Sequence, residues 1–155
     1  VVQAEAMKTF VELFRSLKFK RKNGLIWWNV RDGWPQISDA VVDYWGGRKR
    51  AYETIRMVQQ DELVMLYDDH RAVAVNDRLH PVKGHATFTD HATGRVLLDT
   101  DYEVAANATA DLGTVPFSGQ GVVDIAYTCD GLSLRNYFLY GEPPFDVDKV
   151  KEWVK

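Results

Sequence analysis

Trp28, Asn29, Arg31, Asp32 and Trp34 fall within one short stretch of the chain. Together they make a recognisable chemical set. An indole face stacks on the apolar C–H face of a pyranose ring. An amide, a guanidinium and a carboxylate beside it exchange hydrogen bonds with the sugar hydroxyls. A site built on such bonds discriminates strongly between hydroxylated ligands. The candidate substrate-binding residues are therefore Trp28, Asn29, Asp32 and Trp34. A packing role competes with this reading. Trp27 and Trp45 are expected in the core, whereas Trp28 and Trp34 fit either role. Asp32 precedes Gly33, and an Asp before Gly is also a common turn former.

Other groups have weaker chemistry. His85 and His91 with Asp90 invite a metal reading, but their spacing matches no known ligand pattern. His70, His80, His85 and His91 are expected as solvent-facing strand and turn residues, with no metal bound. Asn107-Ala108-Thr109 is a glycosylation sequon, relevant only in a eukaryotic secretory setting. Cys129 is the only cysteine, so no internal disulfide can form. Its place in an alternating apolar run predicts a buried thiol. Asp32, Asp39 and Asp43 share one loop, and Glu5 and Glu12 are expected to be solvated on a helix.

These residues need elements to hold them. Apolar residues at Met7, Phe10, Val11, Phe14 and Leu17 predict an amphipathic helix over 3–19, closed by Lys18, Lys20–Lys22 and Asn23-Gly24. Residues 25–30, LIWWNV, predict a short strand buried on both faces. Residues 33–47 read as loop and 48–58 as a second helix with Ala51, Tyr52, Ile55 and Val58 inward. One strand is not a sheet. This first third is part of a larger α/β body or an appendage packed on the rest of the chain.

After Gln59-Gln60-Asp61 the pattern changes. Strands are predicted at 63–67, 71–76, 83–89, 95–99, 102–106, 122–128 and 132–139. Turns separate them, including a two-residue hairpin turn at Asp130-Gly131. Seven short strands in this span predict an antiparallel immunoglobulin-like β-sandwich. Its scattered aromatics, Phe88, Tyr102 and Tyr127 among them, are expected in sheet packing. Past Pro143-Pro144, Asp146 suits the N-cap of a short helix with Val147, Val150 and Trp153 as its stripe. The expected domains are thus 1–58, 59–142 and 143–155.

The totals agree with a packed fold. The chain has 155 residues, 46% of them hydrophobic, and a net charge of −3. That charge gives no case for nucleic-acid binding, and no run is long enough to span a membrane as a helix. Residues 1–58 carry 11 Lys/Arg against 6 Asp/Glu, net +5, and residues 59–155 carry 8 against 16, net −8. The contrast suggests two parts with different surroundings.

The stretch GLIWWNVRDGWPQISDAVVDYWGGRKRAYETIR resembles the end of the catalytic (β/α) barrel in glycoside hydrolase family 2, which includes β-mannosidases, β-galactosidases and β-glucuronidases. The matching positions are Trp28, Asn29, Asp32, Trp34-Pro35, Val42-Asp43-Tyr44 and Arg48-Lys49-Arg50. The QAEAMK helix resembles the helix before that strand, and YGEPPFDVDKVKEWVK resembles the tail of β-mannosidase-like members. The chain departs at Ile37-Ser38-Asp39-Ala40, where many members have a second Trp, which leaves the substrate subgroup open. The resemblance implies a retaining exo-acting β-glycosidase with two catalytic glutamates on earlier barrel strands. On this reading residues 1–58 are a barrel remnant, the sandwich is accessory and this chain alone hydrolyses nothing. Trp28 would line the sugar ring at the cleavage site, with Trp34 a second aromatic surface. Asn29 and Asp32 would bond substrate or hold loop residues. The implied partners are carbohydrate and an upstream barrel domain, with no cofactor. A homodimer through the exposed remnant and a periplasmic or secreted parent are further expectations. The competing class is a non-catalytic carbohydrate-binding or protein-interaction sandwich with a helical extension.

Overall fold

The computed structural model describes residues 1–153; Val154, Lys155 and the Trp153 side chain of the expected C-terminal stripe lie outside the described residues. The chain divides into two compact units, Val1–Gln60 and Asp61–Lys155.

The second unit is mainly β. Its strands are β1 (Glu62–Leu66), β2 (Arg71–Asn76), β3 (Val82–Asp90), β4 (Val96–Val104), β5 (Ala108–Thr114), β6 (Gly121–Cys129) and β7 (Leu132–Tyr140). They form two antiparallel sheets, ordered β1-β2-β5 and β4-β3-β6-β7. Alternation places the side chains. In β6 Val123, Ile125, Tyr127 and Cys129 are buried while Ala126 and Thr128 are exposed. In β3 Ala86 and Phe88 are buried and Lys83 is exposed. These residues meet Val64, Leu66, Ala72 and Ala74 of the smaller sheet in one core. Cys129 is a free, buried thiol, and desolvation pushes its pKa up to about 11.

Polar side chains tie the sheets together. Asn136 Nδ2 on β7 donates to the Val64 carbonyl on β1 at 2.9 Å, and the Tyr127 hydroxyl donates to the Glu62 carbonyl at 3.3 Å. Asn76 Nδ2 donates to the carbonyls of His80 and Ala105 at 2.8 and 3.0 Å. Buried amides bonded in this way rigidify a core rather than weaken it.

The hairpin at Asp130-Gly131 forms as expected, with both residues at positive φ (45° and 82°). Two strand expectations differ from the structure. The segments 95–99 and 102–106 are one continuous β4, because Asp99 and Asp101 lie on an edge strand where polar residues are solvated. A bulge at Leu97 takes up the irregular spacing. Strand β5 lies outside the expected strands, since Ala-Thr-Ala-Asp-Leu-Gly-Thr has weak strand propensity. Pairing with β2 imposes it, with a second bulge at Leu112 and Gly113 at φ 113°.

A short helix, Val147–Trp153, closes this unit. Its N-terminus is capped as expected, by Asp146 Oδ1 accepting from the N–H groups of Asp148 and Lys149 at 3.0 and 3.2 Å.

The first unit contains helices α1 (Val2–Ser16) and α2 (Arg50–Val58). In α2 the buried residues are Ala51, Thr54, Ile55 and Val58, close to the expected stripe. In α1 the buried face is Ala4, Lys8, Val11 and Glu12, rotated from the expected one, and Phe10 is exposed. Glu12 is therefore buried rather than solvated. Lys8 Nζ lies 2.8 Å from both of its carboxylate oxygens, and the paired charges allow the burial. The basic run falls after the helix, where Lys22 Nζ sits 4.4 Å from the Phe14 ring centroid.

Residues 25–30 are not a strand. A strand needs a ladder, and among the described residues of this unit only isolated bridges occur: Arg31 with Val42, Val42 with Arg48 and Lys18 with Lys22.

Candidate functional site

The loop from Asn29 to Lys49 is organised by backbone bonds between its two arms. Val41 N–H donates to the Asn29 carbonyl at 3.2 Å, Val42 N–H to the Val30 carbonyl at 2.9 Å and Asp32 N–H to the Val42 carbonyl at 3.1 Å. The returning chain is fixed in turn by Lys49 N–H on the Val41 carbonyl at 2.9 Å. Ala40 and Val41 of this loop are buried.

Asp32 is the polar centre. It is 2% exposed. Its Oδ1 accepts from the Ser38 hydroxyl and from Gln36 Nε2 at 3.1 Å, and its Oδ2 lies 3.4 Å from Lys49 Nζ. Lys49 Nζ also donates to the Ser38 carbonyl at 3.0 Å, and Ser38 Oγ accepts from Ala40 N–H at 3.0 Å. The Ser38 hydrogen bond foremost, with Gln36 and Lys49 behind it, holds the Asp32 carboxyl below the usual carboxylate range against the opposing effect of burial. Its acceptors are turned toward the loop itself.

The aromatic candidates point elsewhere. Trp28 is 76% and Trp34 65% exposed. Asn29 is half-buried, and its Oδ1 is buried without a hydrogen-bond partner among the described residues. The Trp28–Asn29 peptide is cis. Trp27 is half-buried. Trp45 is 75% exposed, which corrects the expectation of a core residue. It sits on a tight turn in which Asp43 N–H donates to the Gly47 carbonyl at 2.9 Å and Gly47 N–H to Asp43 Oδ1 at 2.7 Å. Its indole packs edge-on against Tyr44, centroids 5.5 Å apart. Arg31 Nη2 holds that turn through the Tyr44 carbonyl at 2.7 Å.

The sequence-derived set thus separates into an outer group, Trp28 and Trp34, and an inner one, Asp32. Ser38, Gln36 and Lys49 do not stand out as a site in the sequence. The available signal is a hydroxyl and an amide within six residues of an aspartate in a loop, a spacing suited to local side-chain bonding.

The histidines do not converge. His85 Nδ1 and Nε2 lie 2.8 and 2.9 Å from Asp101 and Asp99, while His91 Nδ1 lies 2.8 Å from Asp124. Asp90 instead accepts from Thr93, so His85, His91 and Asp90 share no centre. An imidazole with a carboxylate on each nitrogen is best satisfied when doubly protonated. Asp101 first and Asp99 second therefore raise the His85 pKa. The folded pKa lies above the unfolded one, so this stabilisation is full below about pH 6.5 and is lost as pH rises through the folded value. In an NMR titration the His85 ring protons should reach their midpoint above about 6.5. In Asp101→Asn the midpoint should move back down. A wild-type midpoint at or below the ordinary value would contradict the arrangement.

No family model matches this chain, and no curated protein matches it by sequence. Solved structures do match. A β-D-mannosidase from Dictyoglomus thermophilum superposes with a TM-score of 0.77 at 23% identity, covering 93% of this chain and 19% of that chain. The exo-chitosanase CsxA of Amycolatopsis orientalis superposes with a TM-score of 0.74 at 18% identity, covering 92% and 19%. The fold is shared with part of two glycosidases. At these identities the likeness is one of fold, and this chain spans about a fifth of the length of either enzyme.

Proposed function

We propose that this chain is a portion of a larger retaining, exo-acting β-glycosidase of glycoside hydrolase family 2, with β-mannosides the favoured substrates. Residues 1–58 are the end of its catalytic barrel. Trp28 and Trp34 form part of the wall of the sugar pocket, Asn29 bonds the substrate, and Asp32 holds the loop that carries them. The sandwich is accessory. The reading rests on one observation above all: two indoles are turned outward from a loop whose own carboxylate is turned inward. The unpartnered Asn29 Oδ1 suits a donor from a hydroxyl or from an adjoining segment. Exposed Ile26, Val30 and Ile37 beside the tryptophans suit cover by an upstream barrel domain, or by a second copy when the chain is isolated.

The catalytic glutamates of such an enzyme lie outside this chain, so the chain alone should turn over no nitrophenyl β-glycoside. The parent enzyme should hydrolyse a nitrophenyl β-mannoside, and Trp28→Ala should lower its kcat/KM by about 100-fold, the scale of a lost aromatic anchor. An unchanged kcat/KM in that variant, or a parent inactive on every β-glycoside, would overturn the reading.

A further inference from the structure

We propose that Ser38 and Lys49 are positioning residues that fix the loop bearing Trp34. Inside the wider loop closed by the Asp32 N–H bond to the Val42 carbonyl, side chains close the segment from Asp32 to Ser38 into a smaller ring. Ser38 Oγ donates to Asp32 Oδ1 and accepts from Ala40 N–H at 3.0 Å, so one hydroxyl joins the start of the segment to its exit. Lys49 Nζ spans the same closure from outside, 3.4 Å from Asp32 Oδ2 and 3.0 Å from the Ser38 carbonyl. Gln36 Nε2 adds a third bond to Asp32 from inside the ring, at 3.1 Å. Trp34 stands between these anchors and is followed by Pro35, whose ring fixes its own φ and restricts the residue before it.

The closure matters because of what the ring presents. An indole 65% exposed has few contacts of its own to hold it, so its backbone must be held instead. A platform already immobile before a ligand arrives loses less entropy on binding. Asp32 and Lys49 are mutually neutralising and hydrogen-bonded, so they form the fixed support and leave the outer surface to the aromatic face. The step from a held loop to tighter sugar binding rests on the proposed glycosidase function; the held loop itself does not.

The experiment separates the two. Backbone 15N relaxation of this chain reports the order parameters of the Gly33 and Trp34 amides. In the wild type both should lie near about 0.85, and in Ser38→Ala and Lys49→Met both should fall below about 0.6. Lys49→Arg keeps a donor cation at the site and should restore order. Gln36→Ala, a milder lesion, should give an intermediate value should either of the first two variants fail to fold. The Trp45 amide, on its separate turn, should not change. Gly33 and Trp34 amides that stay as ordered in the variants as in the wild type would overturn the proposal. In the parent enzyme Lys49→Met should raise KM by about 10-fold with kcat within a factor of two, as expected for lost ground-state positioning. Loosened amides with an unchanged KM would leave the positioning role standing and overturn the sugar-wall reading of Trp34.

Discussion

Gly84→Ala should destabilise the sandwich by about 3 kcal/mol, near the upper end for overpacking. A Cβ at Gly84 would stand 2.0 Å from the Thr128 carbonyl oxygen and 2.6 Å from the ring and hydroxyl of Tyr102. Neither neighbour can yield cheaply. The carbonyl belongs to the backbone of β6, which pairs with β3 along this register. The Tyr102 ring lies against the glycine, and its hydroxyl donates to that same carbonyl at 3.0 Å. Relieving the clash means parting the two central strands of the larger sheet. Urea unfolding followed by far-UV circular dichroism should show a lower midpoint, and the melting temperature should drop by roughly 10 °C. Truncating Tyr102 in the same chain should not rescue it, because the backbone contact remains. An unchanged midpoint for Gly84→Ala would contradict the close approach.

The opposite lesion should cost still more. Phe88 is fully buried, pairs with Leu98 on β4 and Ile125 on β6, and is the largest fully buried side chain of the described residues. Phe88→Ala removes its contacts and leaves a void between two sheets that cannot close onto it. The expected loss is about 4 kcal/mol. That is a large part of the roughly 5–15 kcal/mol that typically separates a folded domain from its unfolded chain. Phe88→Leu retains most of the volume and should cost clearly less. The pair of unfolding midpoints tests the claim: equal losses for Leu and Ala would mean that Phe88 is not packed as described.

The sandwich is legible in the sequence because its signals are local. Period-two alternation in Val122–Thr128 and the Asp130-Gly131 turn each specify their own conformation without reference to anything distant. Strand β5 is not legible, because Ala108–Thr114 is a strand only by virtue of β2 beside it. The first unit misleads in a related way. LIWWNV has strand-forming residues, but propensity cannot supply the partner that a ladder needs. Residue types also mislead about burial. Glu12 is buried because Lys8 lies one turn away, and Phe10 is exposed although apolar. At the candidate site the spacing alone brings Trp28, Asn29, Asp32 and Trp34 together. It cannot say that Asp32 turns inward to Ser38 and Lys49, since that depends on the chain coming back parallel to itself at Val41-Val42 and reversing at Asp43–Gly47.

The bulges at Leu97 and Leu112 interrupt β4 and β5, the outer strands at one end of each sheet. An open sandwich carries unsatisfied N–H and C=O rows along such strands, and a regular row is a template on which a neighbouring molecule can extend the sheet. Each bulge breaks the repeat. On β4 the carboxylates of Asp99, Asp101 and Glu103 are met by His85 and Lys83 of β3. The irregularities that blur these strands in the sequence are thus of the kind by which open sheets discourage edge-to-edge growth.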